Sequence, residues 1–252
     1  MDKRIGAQLY TVRNTCQNEQ DFEDTIKKLQ EIGYKVVQLS GVSRDIPGEK
    51  IKEICDKYGM TIACTHSDPA DFEEKLDEVI AYHKAIGCNV AGLGYMPIER
   101  RQSIDMWKDF VKTYNEVTEK LAAEGITFAY HNHAFEFATY GGVSAMDYIL
   151  ENGKFGFILD VYWVAHAGIN PADYIKKLGK KAVMLHYKDR AIDIENNAYY
   201  AEIGKGNMDW DSIIAASDEA AFALVEQDYC KDDDPINCLK TSYDFLTKKG
   251  FK

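Results

Sequence analysis

No apolar run in this chain approaches the roughly 20 residues that a membrane-crossing helix requires, so no membrane span is expected. Paired cysteines are also missing. The six present, at positions 16, 55, 64, 88, 230 and 238, form no CxxC pair and no dense framework, which argues against a thiolate zinc site or a disulfide scaffold and for free thiols in a reducing compartment. Basic charge is scarce: 30 Lys and Arg face 41 Asp and Glu, and a net charge of -11 disfavours nucleic acid as the main partner. With no Pro/Ser-rich linker, low-complexity tract or shift of composition, one domain over residues 1–252 is expected. The opening MDKRIGAQLYTV has two basic residues but neither a long apolar segment nor a small-residue cleavage site. It reads as a first strand, and the cytoplasm is the expected location.

What is present is alternation. Apolar strand-like runs at 4–10, 36–40, 61–66, 89–95, 126–133, 155–160, 182–189 and 222–228 are separated by amphipathic stretches. Ile104, Trp107, Phe110, Val111, Tyr114, Val117 and Leu121 follow the 3–4 spacing of one buried helix stripe. Eight strands in regular βα units predict an α/β fold, a single (β/α)8 TIM barrel, and the length matches the roughly 250 residues typical of that fold.

Four of the later runs end in metal-ligand residue types: His131, Asp160, His186 and Glu226. Parallel strands of a barrel open their C-terminal ends onto one face, so four such ends converge on one ion. Parity supports the set, because side chains alternate across a strand. Ala129, His131 and His133 share a face, as do Met184, His186 and Lys188, and Leu224, Glu226 and Asp228. Two imidazoles with two carboxylates suit a divalent transition metal better than Mg or Ca, with Mn2+ favoured and Zn2+ or Co2+ as alternatives.

The segments GAQLYTVR, YHNHAFEF, LDVYWVAHAG, HYKD, EIGKGNMDW and VEQD resemble the xylose isomerase-like superfamily, in particular its sugar phosphate isomerase/epimerase family, over nearly the whole chain. The resemblance implies that Asp160, His186 and Glu226 are metal ligands and that the substrate is a small sugar. At His131 the chain departs from the sugar epimerases of that group, which usually carry Glu there and pair it with the Glu of the eighth strand for acid–base work. The AP endonucleases of the same fold hold three zinc ions and need a basic surface, and neither feature is evident here.

The chemistry such a site supports is proton abstraction beside a carbonyl, with Glu226 as the base. His133 either returns the proton or orients the site. Lys188 either polarises a substrate oxygen or pairs with Asp228 or Asp189. Tyr10 and Trp163, with Tyr95 and Phe135, are candidates to stack on a sugar's C–H face or simply to pack on helices. Gln8, Gln38 and His66 are candidates to bond its hydroxyls, and Glu136 is placed behind His133 on the substrate side. EIGKGNMDW is read as a turn followed by a helix capped near Asn207 or Asp209, hence an unphosphorylated substrate. His83 is read as a structural or surface histidine. The expected function is a metal-dependent isomerase or epimerase acting on a keto sugar or polyol through an enediolate. A lyase of the inosose dehydratase type and a non-catalytic sugar-binding barrel are the alternatives, and homo-oligomerisation stays open.

Overall fold

Period-two alternation forces each apolar run to present one set of side chains to a lumen and the other to an outer layer of helices. The computed structural model describes residues 1–252, and in it these runs form eight parallel strands. They are β1 (Gly6–Gln8), β2 (Val36–Leu39), β3 (Thr61–Ser67) and β4 (Val90–Leu93), followed by β5 (Thr127–His131), β6 (Gly156–Asp160), β7 (Ala182–Tyr187) and β8 (Phe222–Val225). Each pairs with its neighbour in sequence, and β8 pairs back onto β1, so the barrel is closed and has no open edge.

The lumen is filled by Val36, Ala63, Cys64, Val90, Ala129, Ile158, Met184 and Leu224, all buried. Small residues are needed where the wall is tight. A Cβ on Gly92 would lie 2.3 Å from the Thr65 carbonyl oxygen and 2.7 Å from Ile158 Cδ1. Outside the wall, the long helix Ile104–Ala123 starts at Ser103, whose side chain accepts the Met106 N–H. Its predicted stripe is buried from Trp107 to Leu121, and Tyr114 stacks on Phe128 of β5 with ring centroids 5.2 Å apart. Each large side chain so buried contributes roughly 1.5–3 kcal/mol.

Several strands are shorter than the apolar runs that announced them, because the chain leaves the sheet where the mouth opens. After Gln8 the backbone tightens into a 3-10 segment, Leu9–Thr15, instead of running straight to residue 10. Beyond Tyr187 it turns into a hairpin, Asp189–Ile192 against Ala198–Ala201. Although β8 ends at Val225, the Glu226 N–H still donates to the Tyr187 carbonyl at 3.1 Å, which ties Glu226 to the barrel rim.

The EIGKGNMDW segment is pinned by Asp189. Its Oδ2 accepts the N–H of Gly204 at 2.8 Å, the N–H of Gly206 at 3.2 Å and the Trp210 indole N–H at 2.7 Å. A Cβ on Gly206 would fall 2.3 Å from Asp189 Oδ1, so only glycine fits this clamp. The expected helix follows as Trp210–Ala216, with the Asp209 side chain accepting the Ser212 N–H. The loop's free amides are thus spent on Asp189 rather than left for an anion, and Lys205 is exposed. His83 is structural: it is buried, with Nδ1 2.8 Å from the Val79 carbonyl and Nε2 2.9 Å from Thr65 Oγ1.

Candidate metal centre

One lumen-facing step above the apolar floor, the side chains turn polar. Ala129 is succeeded by His131, Ile158 by Asp160, Met184 by His186 and Leu224 by Glu226. All four polar residues are buried, and one ligand-type atom of each lies within 4.8 Å of the others. His131 Nε2 is 3.5 Å from Asp160 Oδ2; His186 Nδ1 is 3.9 Å from that oxygen and 2.9 Å from Glu226 Oε2.

Each of these side chains is aimed by its other polar atom. His131 donates Nδ1–H to the Gly94 carbonyl at 3.0 Å, and His186 donates Nε2–H to Gln38 Oε1 at 2.6 Å. Asp160 Oδ1 accepts the N–H groups of Tyr162 at 2.8 Å and Trp163 at 3.2 Å, at the start of the helix Val161–His166. Glu226 Oε1 accepts from the Gln8 amide at 2.7 Å. What remains is one inward atom per residue, and three of them, His131 Nε2, Asp160 Oδ2 and His186 Nδ1, are buried with no hydrogen-bond partner. Orphaned buried acceptors are rare and costly. Two imidazole nitrogens and two carboxylate oxygens at this spacing fit a divalent ion, with ligands oriented from behind as metal sites require.

Lys188 completes the charge balance. It is 1% exposed, with Nζ 3.4 Å from Asp160 Oδ2, 3.4 Å from Glu226 Oε2 and 2.8 Å from Asp228 Oδ2. Burial works to raise the Glu226 pKa, but the Lys188 charge and then His186 outweigh it and hold the carboxyl well below its ordinary value. Asp160 is lowered in the same way, burial being overcome by Lys188 and His131. Asp228, by contrast, is raised, first by burial and then by the Glu226 charge. Lys188 therefore pairs with Asp228, one of the two partners considered from sequence, and adds two buried carboxylates to the pair.

Above this cluster opens a cavity of about 650 Å3, within the range of small-molecule sites. Gln8, Tyr10, His66, His131, His133, Trp163, Lys188 and Glu226 line it, while Asp160 and His186 sit beneath. Gln8 is turned toward Glu226 with its amide nitrogen, and its oxygen accepts the Tyr10 N–H at 2.5 Å, so it serves to position the carboxylate. His66 packs on His131 and His186 with centroids 4.9 and 5.4 Å away, and burial followed by those two rings pushes its pKa well down. His133 is likewise neutral, lowered to about 3 by burial and then by His131.

One expected substrate contact is corrected. Glu136 is not on the cavity wall: it is fully buried, accepting from the Tyr130 hydroxyl at 2.6 Å and from the His133 backbone N–H at 2.8 Å. The 3-10 turn Phe135–Phe137 rotates its side chain inward, under the strand end. Gln38, weighed for sugar hydroxyls, instead orients His186. Sequence reasoning gave no part to Asn132, whose Oδ1 accepts the Asp160 N–H at 2.9 Å, or to Arg44, which lines the far side of the cavity. The only signal for Asn132 was its place between two histidines.

The profile of the xylose isomerase-like TIM barrel matches residues 26–246. No curated protein matches the chain by sequence. Among solved structures, a sugar phosphate isomerase/epimerase from Parabacteroides distasonis is similar with a TM-score of 0.85 at 21% identity, over 100% of this chain and 96% of its own. A probable 3-DHS dehydratase, AsbF, from Bacillus anthracis reaches 0.77 at 15% identity, over 98% and 99% of the two chains. An IolI protein with a bound zinc atom reaches 0.74 at 14% identity, over 99% of each chain. At these identities the likeness to each structure is one of fold. The match to the family profile spans most of the sequence and carries the stronger conclusion: the chain belongs to the xylose isomerase-like TIM-barrel family.

Proposed function

We propose that this chain, acting as one domain over residues 1–252, is a divalent-metal-dependent isomerase or epimerase of a keto sugar or related polyol. The observation that carries the reading is the convergence of His131 Nε2, Asp160 Oδ2, His186 Nδ1 and Glu226 Oε2, each set by a partner behind it. Mn2+ is our first choice on the mixed donor set, with Zn2+ and Co2+ next. A bound ion would supply electrostatic stabilisation of the charge that develops on a sugar's carbonyl and adjacent hydroxyl oxygens during enolisation.

Glu226 is the base. Its low pKa keeps it ionised at neutral pH, and Gln8 fixes its direction, so it takes the proton from the carbon beside the carbonyl. His133 is neutral and has an unpartnered Nδ1 on the same wall, where it exchanges a hydrogen bond or a proton with the opposite side of the substrate. Lys188 holds Asp160 and Glu226 together against their mutual repulsion and polarises a substrate oxygen from below. Trp163 and Tyr10 offer ring faces to the sugar's C–H surface. Asp68, Asp71 and Asp228 on the cavity wall disfavour a phosphorylated substrate.

One observation favours a second reading, a lyase. Both nitrogens of His131 are committed, one to Gly94 and one to the cluster, so Glu226 has no carboxylate partner across the site. A single base suffices there, because the proton that Glu226 takes to form the enolate can pass to the β-hydroxyl, which then leaves as water. The protein stripped and reloaded with Mn2+, Zn2+ or Co2+, then incubated with keto sugars in D2O, separates the readings. Deuterium at carbon with a retained hydroxyl count indicates isomerase or epimerase, and an enone product indicates lyase. Sugar binding without exchange under every loading leaves a binding barrel and overturns both enzymes.

A further inference from the structure

Beside the metal-centred cavity lies a second one of about 430 Å3, over the ends of β5 and β6, and the two share His133 and Trp163. Its wall is aromatic, with Phe135, Tyr140 and Trp163 contributing rings. Arg101, just ahead of the helix Ile104–Ala123, lays its guanidinium over the Phe135 ring, 3.3 Å from the centroid. Whereas Arg100 is paired with Glu73 at 2.7 Å, Arg101 Nη1 is buried without any partner. A further nitrogen of a residue lining this space, Trp163 Nε1, is also buried and unpartnered.

Such groups are ordinarily satisfied, and two of them on residues of one cavity, Arg101 Nη1 and Trp163 Nε1, point to a ligand that meets them. The ligand that meets these demands has an apolar face for the rings and oxygens that accept from the guanidinium and the indole, as a sugar ring does. A sugar ring held over the four-residue cluster takes part of the inner cavity, and the outer cavity adjoins it at the shared His133 and Trp163, so a ring placed there is a second one joined to the first. We propose that the Arg101, Phe135, Tyr140 and Trp163 cavity is a second sugar subsite, and that the substrate is a keto sugar carrying another ring in glycosidic linkage. This rests on the sugar reading of the metal centre given above.

The test is calorimetric titration of the full chain, reloaded with Mn2+, using D-fructose and four glucosyl-fructose disaccharides joined through O3, O4, O5 or O6 of fructose. At least one disaccharide is expected to bind roughly tenfold or more tightly than fructose. Arg101→Ala should bring that ratio to about two or less and leave fructose affinity unchanged. Arg101→Met, which keeps an apolar stem on Phe135 but no donor, should do the same, so misfolding of one variant does not decide the matter. Metal-dependent fructose binding with no disaccharide advantage, or an advantage that survives both substitutions, overturns the subsite while the sugar reading stands. If no sugar binds the metal-loaded protein, the sugar reading falls and takes the subsite with it.

Discussion

Two successive layers of the same barrel lumen differ in everything but geometry. The lower one, including Ala129, Ile158, Met184 and Leu224, is apolar and buried. The upper one, two residues further along the same strands, is His131, Asp160, His186 and Glu226, equally buried yet strongly polar. Burial therefore does not distinguish core from site in this fold. What distinguishes them is position along the strand, since only the upper layer reaches the mouth, where neighbouring strand ends, a helix start and a loop supply hydrogen-bond partners. The lower layer stabilises the barrel by filling space, and the upper one spends stability to hold unpaired atoms in place.

The sharpest break in this comparison is His186→Ala, expected to weaken binding of the divalent ion by more than about a hundredfold. Elemental analysis after reloading should fall from about one ion per chain to nearly none, and an unchanged stoichiometry would sink the four-residue site. In the floor, Met184→Ala should cost about 2–5 kcal/mol by urea denaturation while the folded fraction still binds its ion. Loss of metal at full stability would reverse the division of labour.

Glu136 sharpens the contrast through pH. Its carboxyl is raised from 4.5 to about 7, burial outweighing the hydrogen bonds from Tyr130 and the His133 backbone. Between those values the unfolded chain is ionised while the folded one stays protonated, so stability falls as pH rises from 4.5 to 7 and does not recover above. Relative to Glu136→Gln, the native protein should lose about 3 kcal/mol between pH 4.5 and 7.5, at about 1.4 kcal/mol for each pH unit. Parallel denaturation curves of the two proteins at both pH values check this, and a constant difference would refute it. Smallest is Gln38→Leu, which frees the His186 ring behind the site: metal affinity should drop roughly 10- to 100-fold. Competition with a chelator measures it, and an affinity equal to the native one would remove Gln38 from the site.

Much of the site was legible because it obeys local rules. Parity put His131, His186 and Glu226 on lumen-facing positions, and strand-end chemistry singled them out from other polar residues. Glu136 was misplaced because its direction depends on a 3-10 turn, Phe135–Phe137, that no period announces. The roles of Gln8 and Gln38 were partly hidden as well. Both stand on the upper lumen layer, as the alternation implies, but only the closed barrel brings them against Glu226 and His186.

The amino-acid order by itself determined the eight strands, their inward faces and the residue types at their ends, because alternation and helical spacing are short-range patterns written in neighbouring positions. Which atom of each side chain faces the cluster was decided only by tertiary structure, as was Lys188's place among Asp160, Glu226 and Asp228. Pairing of β4 with β5 and of β5 with β6 likewise brought Arg101 to Phe135 and set the cavity they line beside Trp163. Those outcomes depend on partners from distant segments, and a hydrogen bond or an ion pair exists only once the fold has delivered both of its ends.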